Sequence, residues 1–250
     1  MTTTTTPTPI PFPVGFLDGP APNLTRTKID FEKDGLPPFK NNWAVVLDGV
    51  LSQDECKTLL NVVESTTDGE WERAMVNVGG GFQMLYEDTR KCGRIIHDNE
   101  ELAAKLWARL ESAVPEIHVL HDWERVTGLG PWKRNETWKM TRLNERMRFL
   151  KYVGGEYFKA HCDGNYQTPD GKERSYFTLH LYLNDAEGQM EGGATIFHDW
   201  TMTQELRIEP KAGRVLLFQH RDLLHSGGDV LSGVKYTVRT DIMYTKVSEA

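Results

Sequence analysis

Met147-Arg-Phe-Leu-Lys-Tyr-Val-Gly-Gly-Glu-Tyr-Phe-Lys-Ala-His161-Cys-Asp163 is the stretch on which the fold turns. It reads as two extended runs, Met147–Tyr152 and Glu156–Ala160, broken by Gly154-Gly155. Its apolar period is two, the period of strands and not of helices. On extended backbone residues i and i+2 face the same side, so His161 and Asp163 can reach one metal while Cys162 points away.

The same texture continues downstream. Candidate strands are Tyr176–Leu183, Ala194–Phe197, Glu205–Glu209, Arg214–Phe218 and Lys235–Tyr244. Turn residues punctuate them at Pro169-Asp-Gly171, Gly192-Gly193, Pro210-Lys-Ala-Gly213 and Gly227-Gly228. Short strands at this spacing predict a sandwich or barrel. Upstream the pattern is different. Trp43-Ala-Val-Val-Leu47 reads as a buried strand, and Ser52-Gln-Asp-Glu55 as a capping box opening a helix with Leu59, Leu60 and Val63 on its apolar face. Asn99 caps a second helix, whose face repeats as Leu102, Leu106, Leu110 and Val114.

Helices followed by strands predict a mainly β protein in which N-terminal helices buttress a jelly-roll core. The expected division is a Thr/Pro-rich arm over residues 1–40, extended or disordered, and one domain over 41–250. Within that domain, helical support spans about 41–139 and the β-core about 140–246. Eight of the twelve prolines lie at or before Pro38, which is why the opening segment reads as a tail. The rival reading is an arm strapped to the domain through Ile10, Phe12, Val14 and Phe16.

Composition narrows the function classes. The chain has 250 residues and a net charge of −7. That balance argues against a nucleic-acid or basic membrane-binding surface. Cys56, Cys92 and Cys162 are scattered and unpaired in spacing, so no disulfide framework or thiolate zinc site is expected. Apolar runs such as Trp43–Leu47 fall far short of the ~20 residues that span a bilayer. With no secretory signal at the start and no ER-retention signal in Val-Ser-Glu-Ala at the end, a cytoplasmic location is expected.

An H-x-D triplet is weak on its own, because about half of one is expected by chance in a chain of this histidine and aspartate content, and His220-Arg-Asp222 is a second. Two further features strengthen the first. His225 follows the Arg214–Phe218 strand and can bring a third ligand to the same end of a sandwich. Two histidines and one carboxylate leave open positions for a chelating co-substrate and dioxygen, the arrangement of non-haem iron(II) oxygenases. Then Lys235 and Arg239, four apart on a strand, share a face. Buried cations need an anion, and a dicarboxylate co-substrate would supply one. His180 alternates in phase with Thr178 and Tyr182 and can line the same pocket. Arg90, Arg94, Arg146 and Arg148 can reach it from supporting elements or serve as structural ion-pair partners.

Here the stretch 148–163 resembles the iron(II)/2-oxoglutarate dioxygenases of the prolyl 4-hydroxylase type. So do Tyr182-Leu-Asn184, Gly192-Gly-Ala-Thr195-Ile-Phe197, Pro210-Lys-Ala-Gly213 and His225 with Gly233-Val-Lys235. The resemblance implies a double-stranded β-helix (cupin-like) core. It implies His161, Asp163 and His225 as iron ligands, Lys235 as partner of the distal 2-oxoglutarate carboxylate, and Tyr152 and Tyr182 as tyrosines against the co-substrate. Arg239 stands where relatives often carry a small hydroxyl residue, and both cations are expected on the carboxylate. Implied cofactors are Fe(II), 2-oxoglutarate and O2, with stimulation by ascorbate. The implied reaction oxidises an unactivated C–H bond, by hydroxylation, desaturation or cyclisation, and releases succinate and CO2.

A free small molecule, such as an amino acid or a specialised metabolite, is the expected substrate. Hydroxylation of a prolyl peptide or protein and an oxygen-sensing role are alternatives within the class. A metal-dependent hydrolase, which would not explain Lys235, and a non-catalytic β-sandwich binding module, which a surface aromatic platform without bound metal would mark, are alternatives outside it.

Overall fold

The computed structural model describes residues 9–79, 82–188 and 190–247. In chain order the strands before the core are β1 (Thr25–Lys28), β2 (Ala44–Asp48), β3 (Glu72–Arg73), β4 (Val76–Gly79), β5 (Phe82–Met84), β6 (Arg90–Lys91), β7 (Gly93–Asp98) and β8 (Val119–Leu120). The core strands are β9 (Trp138–Leu143), β10 (Arg146–Val153), β11 (Glu156–His161), β12 (Glu173–Tyr182), β13 (Met190–Gly192), β14 (Thr195–His198), β15 (Glu205–Ile208), β16 (Val215–Gln219) and β17 (His225–Lys246). Helix α1 is Gln53–Ser65 and α2 is Glu100–Ala108.

The major antiparallel sheet runs β1-β2-β16-β12-β17-β10-β7-β3. A second set of antiparallel pairings joins β6, β11, β13, β14 and β15 to the first part of β17. Strand β17 therefore belongs to both layers. Its start pairs with β11 and β14, and from Val234 onward it pairs with β10 and β12. This is the expected jelly-roll core, mostly strand with few helices.

Side-chain alternation sorts the major sheet into two faces. Phe149 on β10, Phe177, Leu179 and Leu181 on β12, and Val238 and Ile242 on β17 form one cluster with Leu59 and Val63 of α1 and Leu102 and Leu106 of α2. The alternate residues face inward: Tyr152 on β10, Thr178 and His180 on β12, Lys235 and Arg239 on β17. The helices hold the outer face, and the inner face is left to carry the site.

Local chemistry fixes the ends of these elements. The Ser52 hydroxyl accepts from Glu55 N at 3.1 Å while the Glu55 carboxylate accepts from Ser52 N at 2.8 Å, closing the capping box of α1. Asn99 Oδ1 accepts from Leu102 N at 2.9 Å to start α2. That helix stops at Ala108, short of the expected Leu110 and Val114, which continue the apolar series in a 3-10 turn. Pro115 disfavours helical backbone at Val114, so the last residue of the apolar series lies outside α-helical geometry.

Three further differences from the sequence reading appear. From residue 10 the N-terminal segment is an arm strapped to the domain rather than a tail: Phe12 stacks on Phe16 at 5.0 Å, Phe16 and Leu17 join the main core, and Ile29, Phe31, Leu36 and Phe39 fill a second cluster. Residues 1–8 lie outside the described residues. The span 41–139 is not only helical, since β7 enters the major sheet beside β10. Gly227-Gly228 is not a turn but lies within β17, where Gly227 pairs with Phe158 and Thr195 and a side chain on Gly228 would come 3.0 Å from Ile196 Cδ1. The turn expected at Pro210-Lys-Ala-Gly213 stands: Gly213 has φ +75°, and a Cβ there would lie 1.8 Å from the Leu51 carbonyl oxygen.

Candidate metal centre and co-substrate cleft

His161 ends β11, His225 opens β17, and the two are register partners. Asp163 lies two residues past β11, on the same side of extended backbone as His161. Each imidazole is oriented by its own chain. His161 Nδ1 lies 2.8 Å from the Lys159 carbonyl oxygen, and His225 Nδ1 lies 3.0 Å from that of Leu223. A carbonyl can only accept, so each Nδ1 carries the proton and each Nε2 presents a lone pair. Those Nε2 atoms face Asp163, at 3.6 Å from Oδ1 for His161 and 3.8 Å from Oδ2 for His225.

Charge chemistry agrees with that geometry. Burial, and then the proximity of His161, push the His225 imidazole down to about 3, so it is neutral at physiological pH. Burial works to raise the Asp163 carboxyl, but Arg239 and the two histidines override it and hold the group well below the usual range. Two imidazoles and one carboxylate, with ligand atoms within 4.8 Å of one another, form the one such group among the described residues. This donor set fits a divalent first-row metal and leaves coordination positions free. The second triplet does not assemble: His220 Nε2 lies 3.5 Å from Asp241 Oδ1, while Asp222 pairs with Arg221.

Beside the three ligand candidates opens a cleft lined by Tyr152, Thr178, His180 and Lys235. Lys235 reaches into it with only 2% of its surface exposed, and no carboxylate among the described residues lies within ion-pairing distance. Its ammonium sits 5.3 Å from the Tyr152 ring and 5.8 Å from that of Tyr182. Burial pushes this amine down to about 8. Two inward polar atoms nearby, His180 Nε2 and Arg239 Nε, have no hydrogen-bond partner. A pocket with an uncompensated buried ammonium and orphaned donors fits a dianion such as 2-oxoglutarate.

Six of the seven residues singled out from sequence line this one cleft: Tyr152, His161, Asp163, His225, Lys235 and Arg239. Two are placed differently from expectation. Tyr182 is fully buried behind the lining, and its hydroxyl donates to Thr195 Oγ1 at 2.7 Å. Arg239 is turned to carboxylates of the protein itself, Asp163 at 3.1 Å and Asp241 at 3.2 Å. Thr178 completes that group, donating to Asp163 Oδ2 at 2.5 Å. His180, in phase with Thr178, lines the cleft, and burial followed by the charge of Lys235 holds it well below the ordinary histidine range. Sequence reasoning missed Phe158, whose ring stacks on His161 at 3.7 Å; an aromatic residue in an alternating strand carries no signal that separates it from core.

Residues 147–240 match the family model of the 2OG-Fe(II) oxygenase superfamily. No curated protein sequence matches the chain. Among solved structures, a prolyl-4-hydroxylase from Pseudomonas putida superposes with a TM-score of 0.54 at 14% identity, covering 82% of this chain and 95% of that one. A prolyl hydroxylase from Trichoplax adhaerens, solved with a hypoxia inducible factor peptide fragment, gives 0.51 at 17% identity, covering 80% and 82%. The match spans β10 to β17, the strands that carry the ligand candidates and Lys235, and the fold is the one these hydroxylases share. Over residues 147–240 the chain is thus similar to the 2OG-Fe(II) oxygenase superfamily, and its fold is that of these prolyl hydroxylase structures.

Proposed function

We propose that this chain oxidises an unactivated C–H bond of a small molecule such as a free amino acid, with His161, Asp163 and His225 holding Fe(II) and Lys235 anchoring the distal carboxylate of 2-oxoglutarate. The observation that carries this is the pairing of a pre-oriented His-Asp-His set with an uncompensated buried ammonium in one cleft. The bound iron and co-substrate supply the oxidising power, using dioxygen and releasing succinate and CO2.

The chain's own residues bind, orient and exclude water. The Lys159 and Leu223 carbonyls keep both imidazoles in the ligating tautomer. Lys235, with Tyr152 beside it, sets the direction in which the co-substrate enters. Arg239 neutralises Asp163 while no metal is bound and keeps Asp241 as its partner when Asp163 turns to a cation. Leu150, Phe158 and Phe218 wall the cleft and keep water out.

A peptide substrate is the second reading. Phe82, Met84, Leu85 and Tyr86 are exposed on and just after β5, and this segment is tied to the cleft strand β11 by the Tyr157 hydroxyl donating to the Glu87 carbonyl. An apolar platform there could receive an extended chain.

The deciding experiment is an anaerobic titration of metal-free protein with Fe(II) and then 2-oxoglutarate, followed by the visible charge-transfer band of the chelate. A band that disappears in His161→Ala and His225→Ala supports the assignment. Folded, metal-loaded protein without a band refutes it. Stimulation of succinate release by free amino acids against proline-containing peptides, assayed with ascorbate present, separates the two substrate readings.

A further inference from the structure

Arg90 is the one cleft cation that iron and 2-oxoglutarate leave without a counter-charge. Of the four arginines that could reach the site from supporting elements, three are spoken for: Arg94 pairs with Glu72 at 2.8 Å, Arg146 with Asp98 at 2.8 Å and Arg148 with Asp241 at 3.4 Å. Arg90 lines the cleft, is 8% exposed, and has no carboxylate within ion-pairing distance among the described residues. Its side-chain hydrogen bond is a weak one, from Nε to Cys92 Sγ at 3.3 Å. Strand β6 holds it opposite Phe158 of β11, with its guanidinium 4.6 Å from the Phe158 ring.

On the reading above, each of the other cations lining this cleft has an anion beside it. Arg239 has Asp163 and Asp241, Lys235 has one carboxylate of 2-oxoglutarate, and the metal takes Asp163 and the other carboxylate. A guanidinium buried to this degree without an anion is costly.

We infer that Arg90 receives a carboxylate of the substrate, so that the substrate is a compact carboxylic acid, such as a free amino acid. This rests on the Fe(II)/2-oxoglutarate assignment and deepens it. A single planar guanidinium between apolar walls suits a planar monoanion held by two parallel N–H···O bonds. A phosphate dianion would call for a second cation, and Lys235 is committed to the co-substrate. The position also limits size. Arg90 stacks on Phe158, and Phe158 stacks on His161. An acid gripped by Arg90 therefore presents to the metal a carbon only a few bonds from its carboxylate.

The test uses full-length protein loaded anaerobically with Fe(II) and 2-oxoglutarate. The probes are the free L-amino acids, each paired with its amide, and the readouts are perturbation of the chelate band and the shift in Tm. The expected result is that at least one acid perturbs both readouts and its amide does not. Arg90→Gln is expected to weaken that response ~10-fold or more, Arg90→Lys to restore part of it, and both to leave the 2-oxoglutarate titration unchanged. The inference is overturned if amides act as well as acids, if Arg90→Gln responds like the parent, if no acid elicits a response, or if Arg90→Gln loses the 2-oxoglutarate band. Should Arg90→Gln fail to fold, the acid–amide comparison in the unaltered protein carries the same test. Failure of the underlying assignment is distinct: the parent protein would then show no chelate band at all.

Discussion

The binding of 2-oxoglutarate should weaken as pH rises through about 8, because the cation proposed to anchor it is a buried lysine. Burial lowers Lys235 from its ordinary 10.5 to about 8 in the protein without ligand. A carboxylate placed beside the ammonium restores the charged form, so in the complex the lysine stays protonated across the same range. Above its free-state value, each pH unit therefore costs about tenfold in affinity, and from pH 7 to pH 9 the dissociation constant should rise by about tenfold. Calorimetric titration of 2-oxoglutarate into Mn(II)-loaded protein measures this directly. Lys235→Arg, whose cation does not titrate in this range, should flatten the profile. The stability effect has the opposite sense. An amine depressed by folding destabilises the native state while charged, so the metal-free protein should gain stability between about pH 8 and 10.5. A dissociation constant that is constant from pH 7 to 9 in the parent protein would refute the placement of Lys235 on the co-substrate.

Three other substitutions test separate layers of the structure. Asp163→Ala should abolish metal-dependent 2-oxoglutarate consumption while the protein still unfolds cooperatively, since Arg239 keeps Asp241 at 3.2 Å; retained consumption would show that the ligand set is misassigned. Gly213→Ala should destabilise by about 3 kcal/mol or more in urea unfolding, because a Cβ would lie 1.8 Å from the Leu51 carbonyl oxygen at φ +75°. Phe31→Ala should cost about 3–5 kcal/mol, as expected for a fully packed aromatic, whereas Ile10→Ala, at a position 56% exposed, should change little; equal effects would contradict the packing of the arm.

The strands β10, β12 and β17 were legible because one face of each packs with the helices and the other lines a cleft, which forces a period of two. The candidate metal site was legible for the same reason. His161 and Asp163 are two apart on extended backbone, and Lys235 and Arg239 four apart on another strand, so faces follow from arithmetic. What escaped depended on partners distant in sequence. Gly227-Gly228 is locally a turn signal, and only the proximity of Phe158 and Ile196 makes it the narrow point of a strand. The partner of Arg239 could not be read because Asp163 and Asp241 compete for it in space. Phe31 and Phe39 sit in a segment whose prolines and threonines resemble a tail, and their packing against each other at 6.1 Å, and of Phe31 on Phe197 at 5.4 Å, is a tertiary fact. Arg90 resembles any surface arginine until β6 is seen against β11.

The arm has a consequence for solubility. Strand β1 is the outermost member of the major sheet, and its Thr-Arg-Thr-Lys side chains are all exposed. Beneath it lies β2, Ala-Val-Val-Leu-Asp, paired on its other side with β16. Without the arm, β2 would offer a row of free amide and carbonyl groups along an apolar strand, a template on which a second chain could add. The charged, short β1 closes that template and presents an edge that discourages further pairing. The same segment that fills the second core cluster thus serves as a guard against edge-to-edge aggregation.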